Sequence, residues 1–226
     1  MEAANPPGMK PLAAISLTHV EFDPNDPYGQ LMGYASLVPI ALLVSYCTLI
    51  AFRRDLATCL MFLGQLVNEA VNYAAKKIIK EARPTEYLGK GYGMPSSHSQ
   101  FVAFFAIYIT IYSFKRLNFR HTAWKLLISA TVFALAGLVA YSRIHLTYHT
   151  PKQVAVGLLV GTGFAFIWFL LVENVFVSAI DLDTPVARWF LVRDTRSIPN
   201  ILVFEYEKTM KELDARQGTR KERKTN

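Results

Sequence analysis

Cysteine is nearly absent from this chain, charge is sparse, and acidic residues are outnumbered. Each shortage excludes something. The two cysteines, Cys47 and Cys59, both lie in apolar segments. They read as free thiols, so no disulfide framework is expected. Residues 1–31 hold no apolar run of the length a cleavable secretory signal needs, and Glu2, Glu21, Asp23 and Asp26 interrupt them. No internal repeat or low-complexity linker divides the sequence, which points to one domain plus a tail. Only 18% of residues are charged, with 17 Asp and Glu against 24 Lys and Arg, a net charge of +7. What is plentiful is apolar. Hydrophobic residues make up 52% of the 226, and the mean hydropathy is +0.24. An ordinary soluble domain is less apolar than that.

A helix needs about 20 mainly apolar residues to cross a bilayer core. Gly33 to Phe52, His98 to Phe114, Ala123 to Tyr141 and Val154 to Val177 fit. A fifth segment, Leu56 to Ile79, carries Asn68, Glu69 and Asn72 within about one turn of a single face. Polar groups at membrane depth face protein or water rather than lipid. Packed inside a bundle this segment is a span; the alternative is a helix lying in the interface. The expected fold is an all-α membrane protein, a transmembrane helix bundle of about five spans. Residues 1–32 form an N-terminal segment, 33–177 the core, and 178–226 a basic tail with an interfacial patch at Trp189 to Val192.

Five spans put the termini on opposite sides, and the cations choose the orientation. Sixteen of the 24 Lys and Arg fall on the side of Arg53, Lys115 and the tail. Positive charge favours the cytoplasm. The acidic N-terminal segment then lies outside the cytoplasm, and the tail lies within it.

Two stretches meet on the non-cytoplasmic side. One is KKIIKEARPTEYLGKGYGMPSSHSQ, with Lys76, Arg83, Ser96, Ser97 and His98. The other is YSRIHLTYHTPKQV, with Ser142, Arg143 and His149. Lys76 and Arg83 are seven residues apart, a spacing that lets both lie on one helix face. A guanidinium fork matches phosphate oxygens. Ser96 and Ser97 stand where an N-cap belongs, and a helix N-terminus with unpaired amides is an anion site. The inventory is that of a phosphate cradle with two imidazoles. His149 is assigned as the nucleophile that takes the phosphoryl group. His98 is assigned as the acid that protonates the leaving oxygen and then as the base that activates water. Lys76, Arg83 and Arg143 would neutralise the equatorial oxygens, a task metal ions perform in other phosphoryl transfers.

These residues resemble a known set. Lys76 with six intervening residues before Arg83-Pro84, then Pro95-Ser96-Ser97-His98, then Ser142-Arg143 with five intervening residues before His149, are similar to the three signature motifs of the type 2 phosphatidic acid phosphatase (PAP2) superfamily. The resemblance implies an α-helical membrane bundle, phosphoester hydrolysis without metal or other cofactor, and a phosphohistidine intermediate. The contexts GYGMPSSHSQF, YSR…YHT and RDTRSIPNILVFEY resemble, over roughly residues 17–207, the branch that acts on polyisoprenyl diphosphates such as dolichyl diphosphate. That branch implies an endoplasmic reticulum membrane location with a lumenal site.

Two positions depart from the pattern. Ser97 stands where the second motif usually has Gly, and its backbone N–H is still available. Gln153 stands where the third usually has Asp, four residues after the histidine. An acid there would orient the nucleophile and offset its charge. Gln153 can accept the imidazole N–H but adds no charge, so either it orients His149 alone or a backbone carbonyl does.

The other candidates have plainer readings. His145 reads as structural or interfacial, His19 and His121 as surface residues, and Glu69 as a packed polar contact. Lys77, Lys80 and Lys90 are solvated charges or help attract an anionic headgroup. The basic tail is solvated or meets anionic membrane lipid. With no recognition module, nucleic acid is not an expected partner, and no protein partner is indicated. Two further functions stay open: a broader lipid phosphatase acting on phosphatidate, and a non-catalytic binder of lipid phosphate.

Overall fold

The structure, a computed structural model, describes residues 20–23, 25–85, 91–119, 121–198 and 200–225. His19 and Lys90 therefore lie outside the described residues. The described chain is a helical bundle. A first rod is broken in two, α1 (Gly29–Ser36) and α2 (Val38–Arg53). The break falls at Leu37, two residues before Pro39, because proline cannot donate the next helical hydrogen bond. Then come α3 (Leu56–Ile79), α4 (Ser97–Arg116), α5 (Ala123–His145) and α6 (Pro151–Leu171). The last continues through a wider π turn, Val172–Phe176, into α7 (Val177–Ala179). Short α8 (Pro185–Trp189) and long α9 (Ile201–Thr225) complete the chain.

Among the described residues, three helices are long and apolar enough to cross a membrane: Gly29–Arg53, Ala123–His145 and Pro151–Ala179. The sequence reading counts α3 and α4 as spans too, but neither meets that measure among the described residues. That measure is one of length and composition, and packing accounts for the polar residues these two helices carry. α4 is the hub that packs against α3, α5 and α6, so its surface is met by protein. Ser99, Gln100, Phe104 and Tyr108 are all buried on it. On α3, Asn68 and Asn72 are buried four residues apart, whereas Glu69 is exposed. The expected single face of three polar residues is thus a face of two, and Glu69 is no packed contact. Asn72 Nδ2 donates to Gln100 Oε1 at 2.7 Å, and Gln100 Nε2 donates to Asn68 Oδ1 at 2.9 Å. These bonds satisfy polar groups that lipid could not.

Small residues set the α4–α6 spacing. A Cβ on Gly157 would sit 2.6 Å from Ser96 O, and one on Gly161 would sit 2.3 Å from Gln100 O. Close approach through such a small-xxx-small pair is a usual device of membrane helices. On α3, Gly64 gives the same room to Trp168, whose indole N–H donates to Leu60 O at 2.9 Å.

The far end of the bundle is tied to the tail. Leu56 N donates to Arg193 O at 2.9 Å, and Arg193 N donates to Arg54 O at 3.0 Å. Thr195 Oγ1 donates to the Asp55 carboxylate at 2.5 Å, and Glu205 pairs with both Arg53 and Arg193. The tail is therefore docked at its root rather than wholly solvated. Trp189, Phe190 and Leu191 are exposed beside it, while Val192 packs on the core. Cys47 and Cys59 are free.

Gly157→Ala forces α4 and α6 apart at the Ser96 turn. Overpacking of this kind costs about 1–3 kcal/mol. The expected outcome is a lower thermal midpoint in detergent and reduced activity, whereas Gly163→Ala, whose added Cβ meets nothing within 4 Å, leaves both near wild type.

Candidate active site

Two inter-helix corners, residues 80–96 and 146–150, meet at the start of α4. α3 ends at Ile79, and Lys80 takes a left-handed conformation with φ 52°. Arg83 is therefore not on the helix with Lys76, contrary to the seven-residue expectation. The chain turns back instead, and the charges of Lys76 and Arg83 act on each other across the turn. The segment is held by Gly93 N–H on Glu81 O at 2.7 Å and by Thr85 Oγ1 on Thr147 O at 2.5 Å.

The second corner is a tight reversal. Thr147 is left-handed at φ 56°, and His149 N–H returns to Arg143 O at 3.1 Å. This brings a helix-borne guanidinium and a loop imidazole to one place. Arg143 is only 4% exposed. Its Nη1 donates to Ser36 Oγ at 3.0 Å, and its guanidinium carbon lies 3.9 Å from the Tyr148 ring centre. Its Nε and that of Arg83 are buried donors with no partner among the described residues. Among the same residues, Lys76 and Arg83 form no ion pair and no hydrogen bond. Buried donors normally have partners, so these cations stand ready for an anion.

α4 begins at the same spot. Ser96 occupies the N-cap position, yet its side chain caps nothing. Its hydroxyl accepts from Ser99 Oγ at 3.0 Å instead, and its N–H donates to Gln153 O at 3.1 Å. The first-turn amides after it, beginning with Ser97, keep free donors with the positive end of the helix dipole behind them. His98, on that turn, feels the charges of Arg143, Lys76 and Arg83 and the imidazole of His149.

Gln153 fixes His149. Its Oε1 is 3.2 Å from His149 Nδ1 and accepts from Thr150 N–H at 3.3 Å. Its Nε2 donates to Glu81 Oε1 at 3.1 Å and to Ala82 O at 2.7 Å. Thr150 can only donate through its N–H, and the other two partners can only accept, so the amide has one workable orientation. Nδ1 then carries the proton, and Nε2 keeps its lone pair. A Cβ at Gly93 would lie 2.7 Å from Gln153 Oε1, so only glycine fits beside it. The structure thus brings together every residue singled out from the sequence: Lys76, Arg83, Ser96, Ser97, His98, Arg143, His149 and Gln153. It adds Ser36, Tyr148 and Glu81. Glu81 lies two residues before Arg83 and Tyr148 next to His149, so both were within reach of the motifs; nothing in the sequence marks Ser36. His145 is turned away and pairs with Asp26 at 2.6 Å. His121 is exposed. An apolar cavity of about 220 Å³, lined by Leu42, Tyr46, Met61 and Tyr112, lies toward the other end of α4 and is no part of this cluster.

A family model described as the PAP2 superfamily matches residues 56–176, a span that covers α3 to the π turn. The chain belongs to the PAP2 superfamily. It is 42% identical over 209 residues to Dolichyldiphosphatase 1 of Dictyostelium discoideum, covering 89% of this chain and 91% of that protein. To Dolichyldiphosphatase 1 of Homo sapiens it is 40% identical over 215 residues, covering 90% of each. A solved structure with the same fold is that of the transmembrane PAP2-type phosphatidylglycerolphosphate phosphatase from Bacillus subtilis. It aligns with a TM-score of 0.57 at 22% identity, over 67% of this chain and 80% of that one. The apolar helices and this fold make the chain a multi-pass membrane protein.

Burial, then the positive fields of Arg83 and Arg143, push the His149 imidazole down to about 3; the bond to Gln153 acts the other way. His149 is therefore neutral at physiological pH. In the unfolded chain a histidine titrates near 6.5. Between those values the unfolded chain binds the extra proton, so the fold loses stability as pH falls from about 6.5 toward 3. The slope approaches about 1.4 kcal/mol per pH unit for one group. Thermal unfolding in detergent between pH 7 and 4.5 should fall more steeply for wild type than for His149→Gln. Parallel curves would show that His149 is not held neutral by the fold.

Proposed function

We propose that this chain hydrolyses dolichyl diphosphate to dolichyl phosphate and inorganic phosphate at the lumenal face of the endoplasmic reticulum membrane. The observation that carries the reading is His149, which presents a free Nε2 among Lys76, Arg83 and Arg143 beside the open N-terminus of α4. The relatives of similar length named for this activity support the substrate.

The terminal phosphate would lie against the α4 amides, with Arg83 and Arg143 on its equatorial oxygens. Nε2 of His149 attacks phosphorus, and the bond to the bridging oxygen breaks. His98 delivers a proton to the departing dolichyl phosphate. His98 then takes a proton from water, which attacks the phosphohistidine and releases inorganic phosphate and free His149. The fixed cations carry the charge that metal ions balance in other phosphoryl transfers, so no metal or other cofactor is assigned. Recovery of the monophosphate would return a lipid carrier to protein N-glycosylation.

The purified protein in EDTA should release phosphate from dolichyl diphosphate with a higher kcat/KM than from phosphatidate. His149→Ala should lower turnover by about 10³ or more. Inactivity of the wild type on the diphosphate would refute the reading, and a preference for phosphatidate would make this a broader lipid phosphatase. Full turnover by His149→Ala would remove that residue from the chemistry.

The proposed topology has five passes, with α3 and α4 spanning inside the bundle. Residues 1–32 and both site corners lie in the lumen, and residues 178–226 lie in the cytoplasm. In a chain carrying Cys47→Ala and Cys59→Ala, single cysteines introduced at Lys80 and Lys211 should react with an impermeant thiol reagent from opposite sides of sealed microsomes. Labelling of both from one side would contradict it.

A further inference from the structure

A nucleophilic imidazole becomes positive as its Nε2–phosphorus bond forms. Around His149 the fixed charges are cations: Lys76, Arg83 and Arg143. Its side-chain hydrogen-bond partner, Gln153, is neutral. A site built this way opposes the charge its own mechanism develops, unless a negative group acts on the imidazole through something else. The only carboxylate bonded to Gln153 among the described residues is that of Glu81.

We propose that Glu81 is a positioning residue for the reaction above, acting on His149 through the amide of Gln153. The inference rests on that functional reading and adds the source of the missing negative charge. The path is continuous. Glu81 Oε1 accepts from Gln153 Nε2 at 3.1 Å, and Gln153 Oε1 faces His149 Nδ1 at 3.2 Å. A carboxylate pulling on the amide N–H moves electron density toward the amide oxygen, which becomes a stronger acceptor for Nδ1–H. Glu81 and the Ala82 carbonyl also stop the amide from turning over, since a flipped amide would face two acceptors with its oxygen. Glu81 thereby sets both the tautomer of His149 and the charge behind it.

Three observations support a built arrangement. Gln153 is 1% exposed, and all four of its amide hydrogen bonds are made. The Glu81 backbone is fixed by Gly93 N–H on its carbonyl. The hydrogen bonds from Gln153 and then Lys152 hold the Glu81 carboxyl below the usual carboxylate range, so it is charged at neutral pH. Lys152 pairs with Glu81 at 3.0 Å but is largely exposed; solvent screens such a pair and leaves the carboxylate its charge toward Gln153.

The role is separable from packing by exchanging acid and amide. Glu81→Gln keeps an acceptor oxygen at position 81 but removes the charge. With dolichyl diphosphate, kcat should fall about tenfold while KM stays within twofold, because the phosphate grip is untouched. Adding Gln153→Glu to the same chain returns a carboxylate, now directly on His149 Nδ1, with the new amide at position 81 as donor to it. The second oxygen of that carboxylate then meets the Ala82 carbonyl that Gln153 Nε2 reaches at 2.7 Å, so the double variant Glu81→Gln/Gln153→Glu should recover part of the loss, with a kcat about threefold or more above that of Glu81→Gln. Gln153→Glu alone places two carboxylates together and should stay impaired. Size exclusion and thermal midpoints establish that each variant is folded. Wild-type kcat in Glu81→Gln overturns the inference, as does a folded double variant no better than Glu81→Gln. Should the double variant not fold, Glu81→Gln alone decides, through kcat at unchanged KM against wild-type kcat. A wild-type protein inactive on the diphosphate overturns the functional reading instead, and this inference with it.

Discussion

Gly157 and Gly161 let the α6 backbone come so close to α4 that any larger residue would strike the carbonyls of Ser96 and Gln100. The site depends on this approach. It places the first turn of α6, with Thr150 and Gln153, against the first turn of α4, where Ser96 N–H meets Gln153 O. Lipid offers no hydrophobic push between two apolar helices, so close packing and internal hydrogen bonds must hold such a contact. The consequence is chemical. A helix end able to bind an anion and a loop able to present an imidazole are fixed by the same contact, so neither shifts without the other.

Around that contact the bundle tolerates polar groups only where protein answers them. The Asn68–Gln100–Asn72 network joins α3 to α4 in the interior. At the opposite end Arg116 pairs with Glu173, which the π turn presents. Lys76 and Arg83 are the exceptions, without a partner among the described residues. Buried or half-buried cations without anions are costly in a low dielectric, and a bound phosphate would relieve that cost. Electrostatic strain of this kind is a recurrent mark of functional sites.

Much of the site was legible in the sequence because its residues are gathered in two short stretches. Their types carry chemistry independent of context: arginines that stay charged, histidines that titrate near neutrality, serines before an apolar helix. What escaped was tertiary. Ser36 lies 107 positions from Arg143, and no local pattern joins them. Nothing local marks Glu81, whose meaning depends on a bond to Gln153 across 72 positions. The Lys76–Arg83 spacing suggested a helix, but the left-handed Lys80 ended it first. Long apolar runs gave the helices themselves. The hub role of α4 and the inward face of α3 emerge only from packing, where Asn68, Asn72 and Gln100 are bonded to one another across the two helices. The Gly157–Gly161 spacing was visible too, and only the observed contact gave it meaning.

In the proposed reaction one phosphorus atom sits between His149 and His98 at the mouth of α4. An experimental structure with orthovanadate bound tests that placement most directly. Vanadium is expected to be bonded to His149 Nε2, with its equatorial oxygens on the α4 amides and on the Arg83 and Arg143 guanidiniums, and its outer axial oxygen on His98. Vanadate bound elsewhere in the bundle, or held at this site with His149 Nε2 turned away, would contradict it.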